Sequence, residues 1–399
     1  MNAGAQDEAG RAVERVARTS YGRLLAYLAA RSRDLATAED ALGDALVAAL
    51  RTWPHDGVPA NPDAWLLTAA RNRMTDTLRH RRVAAASEPA LRQWLARTQA
   101  APEIVEFPDE RLKLLFLCTR PAIAPALRAP LMLQTVLGLN AAAIAPAFLV
   151  SPAAMSQRLV RAKARIRDGG LRFDVPVLAE LPERLQAVLE AIYAAFGLGW
   201  EAFPGANHDA TPVPGLAQEA LWIARDLERL LPEEPEVLGL LALLLYCHAR
   251  RAARRAPDGA YVPLAKQKAD LWDQPLIAEA ERLLARAAAL LRPGRFQWEA
   301  AIQSVHTERA RTGRADWAVI AGFYEQIVRL APTIGARAAW AAAAAEVEGP
   351  AAGLARLETI PAKAIAGYQP YWAVRGHLLG QLGRRQEAQV AYGIAIRLS

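Results

Sequence analysis

Three sets of side chains in this sequence have types and spacings that could do chemistry, and the chemistry is binding. In Asn61 to Arg82, NPDAWLLTAARNRMTDTLRHRR, the residues Arg71, Asn72, Asp76, Arg79 and Arg82 lie off an apolar helical stripe, with Arg73 and Arg81 beside them. Guanidinium groups reach phosphate oxygens and base edges, and a short amide pairs with an adenine edge, so this mixture suits holding and reading DNA. The second set begins at Ser151 in SPAAMSQRLVRAKARIRD, where Ser156, Gln157, Arg158, Arg161, Lys163 and Arg165 are left outward by the inward pair Met155 and Leu159. The third is acidic: Glu39, Asp40 and Asp44 face out from a pattern whose inward residues are Ala41, Leu42, Ala45, Leu46, Ala49 and Leu50. Complementing a helix N-terminus accounts for Glu39 and Asp40 and leaves Asp44 for another purpose.

Catalytic constellations are not visible. His55, His80, His208, His248, His306 and His377 show no metal-ligand pairing, and Cys118 and Cys247 are far apart in sequence. The glycines of FGLGWEAFPGA follow no strand and precede no Lys-Ser/Thr pair, so a phosphate cradle is not expected there. The reading is therefore of a protein without enzymatic activity, metal or cofactor.

The elements that must position these residues are helices. The chain has 399 residues, 53% of them apolar and 22% charged, and abundant Ala, Leu and Arg with no alternating strand-like segment predict an all-α fold in more than one domain. One helix is expected from Arg11 to Arg33 and a second from Thr37, with Thr37 and Asp40 as a reciprocal cap. Trp53 to Pro62 then reads as a turn, and the helix after Asn61 buries Trp65, Leu66, Ala69, Ala70, Met74 and Leu78. Residues 86–108, with three prolines, read as a linker, and a further domain is expected from Asp109. In it Asn140 caps a short helix, Leu149-Val150 turns, and Ser151 caps a second helix with Pro152 at its first position, the layout of a helix-turn-helix. Charge follows this division. Residues 1–172 hold 24 Lys and Arg against 16 Asp and Glu, a net of +8, whereas residues 173–399 hold 24 against 25. A polyanion is thus the expected partner of the N-terminal part alone. No apolar run is long enough to span a bilayer and no signal core follows Met1, so a cytoplasmic location and no membrane partner are expected.

The runs TAEDALGDALVAALRTWP and NPDAWLLTAARNRMTDTLRHRR resemble region two of bacterial sigma-70 family RNA polymerase sigma factors of the extracytoplasmic-function type, and LGLNAAAIAPAFLVSPAAMSQRLVRAKARIRD resembles their region four. The resemblance implies region two in 1–85, with Glu39, Asp40 and Asp44 on the β′ clamp helices of core polymerase. It places Arg71, Asn72, Asp76, Arg79 and Arg82 on the −10 element of the promoter. Region four, in 109–172, would place Ser156, Gln157, Arg158, Arg161, Lys163 and Arg165 on the −35 element and meet the β flap. Pro130 and Pro146 fall where the family continues a helix, and an interior proline costs roughly 3 kcal/mol, so either the helices start later or −35 binding is weaker.

Residues 173–399 read as further helices: Leu181 to Phe196, Leu216 to Leu231, Glu234 to Arg255, Asp273 to Leu291, Phe296 to Arg311, Trp317 to Leu330 and Arg337 to Glu346. Trp372, Gly376, Ala388, Tyr392 and Ala395 occupy tetratricopeptide-repeat spacing, with Arg375 in place of an apolar residue. This resembles a sigma-factor group with a helical C-terminal extension, although the group's aromatic-Asn-Glu-Gly-Tyr motif appears as Phe196 to Trp200. The extension is expected to regulate the first two domains by docking, with Tyr193, Phe196, Trp200 and Trp372 as candidate contacts. The alternative is a helix-turn-helix regulator or an interaction scaffold that no longer recruits polymerase.

Overall fold

The structure, a computed structural model, describes residues 3–32, 35–85, 109–168, 180–201 and 215–398. The linker expected at 86–108 lies outside them. The protein is all-α: the regular elements of the described residues are helices, with one isolated bridge between Arg255 and Tyr261. Two compact units divide the chain, one formed by residues 1–202 with 210–226 and the other by 203–209 with 227–399.

In the first unit, the single helix expected over 11–33 is two, α1 (Ala3–Thr19) and α2 (Tyr21–Ser32). The break falls at buried Ser20, whose hydroxyl donates to Asp63 at 2.8 Å and so ties the bend to a later helix. Helix α3 (Leu35–Asp56) starts two residues before Thr37, which is buried inside it and not at its first position. It also runs on through the expected turn. Trp53 is 2% exposed and meets the Trp65 ring edge-on at 5.5 Å, a contact that holds the last turn helical despite Pro54. Gly57, at φ +86°, ends the segment, and the Asn61 side chain accepts from the Ala64 N–H at 3.0 Å to start α4 (Pro62–Ala85).

Asp109 caps α5 (Glu110–Leu117) by accepting from the Arg111 N–H at 2.6 Å. Next comes α6 (Pro125–Thr135), which carries Pro130 buried in its interior. Pro146 is harmless, since it occupies the start of a 3-10 turn, Ala145–Phe148, where no helical N–H is required. That turn links α7 (Ala141–Ile144), capped by Asn140, to α8 (Pro152–Asp168), capped by Ser151, and Leu149 takes the left-handed φ of 51° between them. Helices α9 (Leu181–Glu201) and α10 (Leu216–Leu230) follow, and α9 packs on α5 and α6. The whole run Phe196 to Trp200 lies inside α9, which rules out a glycine loop. Gly199 instead allows α10 to approach, because a Cβ there would stand 2.4 Å from the Ala217 nitrogen.

The tightest backbone approach in this unit is between α2 and the end of α6. A Cβ at Gly22 would sit 1.5 Å from the Val136 carbonyl oxygen. Only hydrogen fits.

The second unit contains α11 (Pro235–Ala249), α12 (Gln274–Ala289), α13 (Arg295–Thr312), α14 (Trp317–Leu330), α15 (Ile334–Glu348), α16 (Pro350–Leu357), α17 (Ala362–Ile365), α18 (Gln369–Gln381) and α19 (Arg385–Arg397). Helix α11 is almost wholly buried and ends six residues short of the expected Arg255, giving way to a 3-10 turn over Arg251–Arg254. Glu236 accepts from the Phe296 and Gln297 N–H groups at 3.1 and 3.2 Å, which places a carboxylate at the positive end of α13. One cluster centred on Ile302, Ile320 and Ile327 joins α13 to α15, and a second centred on Leu357, Tyr371 and Leu379 holds α15 to α19. Gly376 makes room for the Tyr392 ring, and Arg375 is accounted for by Glu358 at 2.6 Å.

Two outcomes are expected. Gly22→Leu forces α2 from α6 and should cost at least about 3 kcal/mol, read by denaturant unfolding. His306, half-buried and edge-on to Trp317, has its pKa lowered to about 4 by burial, then by Arg250 and Arg309. The unfolded chain therefore protonates first, so stability present above the ordinary His value of 6.5 is lost as pH falls towards 4. The loss should reach up to about 3 kcal/mol and be absent in His306→Gln.

Candidate nucleic-acid interface

Helix α4 turns Leu66, Ala70 and Met74 inward, each at most 7% exposed, and leaves Arg71, Asn72 and Arg73 exposed together. The side chains of Asp76, Leu78, Arg79 and Arg82 lie outside the described residues. Trp65 and Ala69, expected in the core, are half-buried, because the Trp65 ring lies across Trp53 at the rim. Asp63 fixes the start of α4. It accepts from the Ser20 hydroxyl at 2.8 Å and from Arg23 at 2.5 Å, a junction that sequence spacing does not reveal because its partners are 43 and 40 residues away.

Helix α8 buries Met155, Leu159, Ala162 and Ile166, each at most 5% exposed. Ser156, Gln157, Arg158, Arg161 and Arg165 stand in solvent on its other side, with Arg161 donating to Gln157 at 3.3 Å. Lys163 behaves differently. Its Nζ lies 2.7 Å from Glu39 Oε1, and the two side chains are only 26% and 17% exposed. A residue expected on DNA thus holds a residue expected on polymerase, and each is neutralised while the pair is made.

Asp40 and Asp44 remain exposed on α3. Val47 and Leu50 join them at 47% and 49% exposure. The expectation that Leu50 points inward is corrected: the buried stripe is Leu42, Ala45, Ala49 and Trp53, and Leu50 lies about 100° around the helix from Ala49. An acidic face with adjoining apolar side chains suits a protein partner better than nucleic acid. Burial, then the nearby Glu39 and Asp40 carboxylates, push the Tyr21 phenol well above its ordinary range, so it stays neutral behind this face. Burial likewise pushes the Cys118 thiol up to about 12, and Thr135 lies 3.6 Å away; this cysteine is an inert core residue.

The four aromatic residues expected to serve the extension are divided between the two units. Tyr193, Phe196 and Trp200 belong to α9 in the first unit, where Phe196 is 3% exposed and stacks on Trp200 at 5.5 Å. Trp372 belongs to the second unit and donates its indole N–H to the Ile365 carbonyl at 3.0 Å. The beginning of α5 has a partner of its own: Arg111 pairs with Glu219 at 2.6 Å and lies over the Trp222 ring at 4.4 Å. Burial raises the Glu219 pKa more than Arg111 lowers it. No described helix is long and apolar enough to cross a membrane.

With this geometry in place, the comparisons with known proteins give the class first. Residues 16–83 match sigma-70 region 2, so the chain carries a domain of the sigma-70 transcription factors, whose partners are RNA polymerase core and promoter DNA. Residues 184–288 match a family of unknown function (DUF6596). An uncharacterized protein of Rhizobium meliloti (strain 1021) is 39% identical over 385 residues, covering 95% of this chain and 89% of that protein. The chain belongs to the same family as that protein. No solved structure matches it.

The Lys163–Glu39 contact makes a measurable demand. A double-mutant cycle over Glu39→Gln and Lys163→Met should give a coupling of about 1 kcal/mol, larger than a fully exposed pair, and falling with salt. Zero coupling would mean that the two helices are not held together by this pair in solution.

Proposed function

We propose that this protein is an extracytoplasmic-function type sigma factor with a tetratricopeptide-like C-terminal array that regulates it. The observation that carries the reading is the region-two domain itself, in which the two faces are separated: Asp40, Asp44, Val47 and Leu50 on α3, and Arg71, Asn72 and Arg73 on α4. The acidic and apolar face of α3 meets the clamp helices of core polymerase. The basic and amide face of α4 takes the −10 element, with Asp76, Arg79 and Arg82 further along the same helix. Helix α8 is the second helix of a helix-turn-helix and offers Ser156, Gln157, Arg158, Arg161 and Arg165 to the −35 element, and Lys163 joins them once it leaves Glu39. Polymerase supplies the chemistry, and this chain supplies binding and strand opening.

Run-off transcription with purified core polymerase on genomic promoter fragments tests the reading, using the full chain. Asp40→Lys with Asp44→Lys should leave folding within about 0.5 kcal/mol of wild type, since both sites are exposed, while capture of core polymerase falls. Unchanged capture would favour a helix-turn-helix regulator or scaffold that does not recruit polymerase. Arg158→Ala should weaken −35-dependent binding by about 1–3 kcal/mol, whereas Asn72→Ala should chiefly reduce the open bubble seen by permanganate footprinting.

A further inference from the structure

The buried stripe of α8, Met155, Leu159, Ala162 and Ile166, fixes which way the rest of the helix faces. At about 100° per residue, the direction opposite that stripe falls among Ala153, Gln157 and Val160, with Arg161 next to them. Ser156, Arg158 and Arg165 lie about a quarter turn to either side, and Lys163 sits on the flank that meets Glu39. The most outward line of the helix is therefore partly apolar. Val160 is 64% exposed, and Ala153, two turns before it, also stands in solvent. Singly exposed apolar residues are ordinary. This one differs in its surroundings: Arg161 donates to Gln157 at 3.3 Å alongside it, and residues 151–167 hold Arg158, Arg161, Lys163, Arg165 and Arg167 with no acid among them. A branched side chain there costs helix propensity relative to Ala and gains nothing from water.

A helix laid in the major groove turns its most outward line to the base edges, where thymine is marked by its C5 methyl group and the other bases by hydrogen-bonding atoms. We propose that Val160 is a thymine-reading residue of α8: its two methyl groups close on the C5 methyl of one thymine, while Gln157 and Arg161 take the edges of neighbouring bases. The inference rests on the reading of α8 as the −35 helix, and adds to it a particular base and the atom by which that base is recognised. The cationic surroundings favour a polyanion over a protein surface as the occupant of this face.

The test lets the full chain, together with core polymerase, select from a library of duplexes randomised over about ten base pairs, one helical turn. The selected duplex is remade with deoxyuridine for thymine, one position at a time on either strand. At one position the loss of the methyl group should weaken wild-type binding about fourfold, the worth of one buried methyl-sized group. Val160→Ala, a change on an exposed helix face, should bind the thymine duplex about fourfold more weakly and show no further loss with deoxyuridine there. Several results would overturn the proposal: no enriched sequence, no deoxyuridine effect at any position, or a thymine preference that survives in Val160→Ala. A Val160→Ala defect in capturing core polymerase without DNA would overturn it too, by making the residue a protein contact. Arg161→Ala separates these failures from failure of the −35 reading. Its binding to the selected duplex should fall about fivefold or more. Binding equal to wild type would take α8 off the DNA, and the proposal with it.

Discussion

The first unit depends on a missing side chain. Helices α2 and α6 approach until the Gly22 backbone lies against the Val136 carbonyl, and no residue with a Cβ can stand there. That approach brings α2 onto α5, and α9 closes on α5 and α6 from later in the chain. The helices of residues 16–83 and those of residues 109–168, which read as separate domains in the sequence, therefore form one compact body with the following helices. The polar contacts Lys163–Glu39 and Arg111–Glu219 secure that body at two further places, 124 and 108 residues apart in the chain.

Charge is distributed to match. The excess of basic residues in the first 172 positions is left on α4 and α8, where Arg71, Arg73, Arg158, Arg161 and Arg165 reach solvent. One acid and one base are withdrawn into a mutual contact that covers neither remaining face. While that contact is made, neither Lys163 nor Glu39 has its charge free for another partner.

Much of this was legible in the sequence, for identifiable reasons. Helical class followed from composition, and the caps at Asn61, Asn140 and Ser151 form as written, because capping is local and depends on residues three apart. The recognition-like helix α8 was legible down to its inward residues, since a period near 3.6 survives packing. Boundaries set by tertiary contact were not. Trp53 extends α3 through a proline by meeting Trp65, and Ser20 breaks an apparently continuous helix to reach Asp63. The Lys163–Glu39 pair was invisible for the same reason: no spacing rule links residues brought together only by the fold. The close approach of α10 to Gly199 was invisible too, because its partner Ala217 is joined to it only by the fold.

The position of α9 changes what counts as the extension. Its residues Leu181 to Glu201 lie well beyond the stretch that matches sigma-70 region 2, yet they complete the core formed with α5 and α6. A natural recombination event that exchanged the C-terminal part at residue 172 would strip the recipient of part of its own interior. A piece cut to fold on its own has to keep α9 with the helices before it.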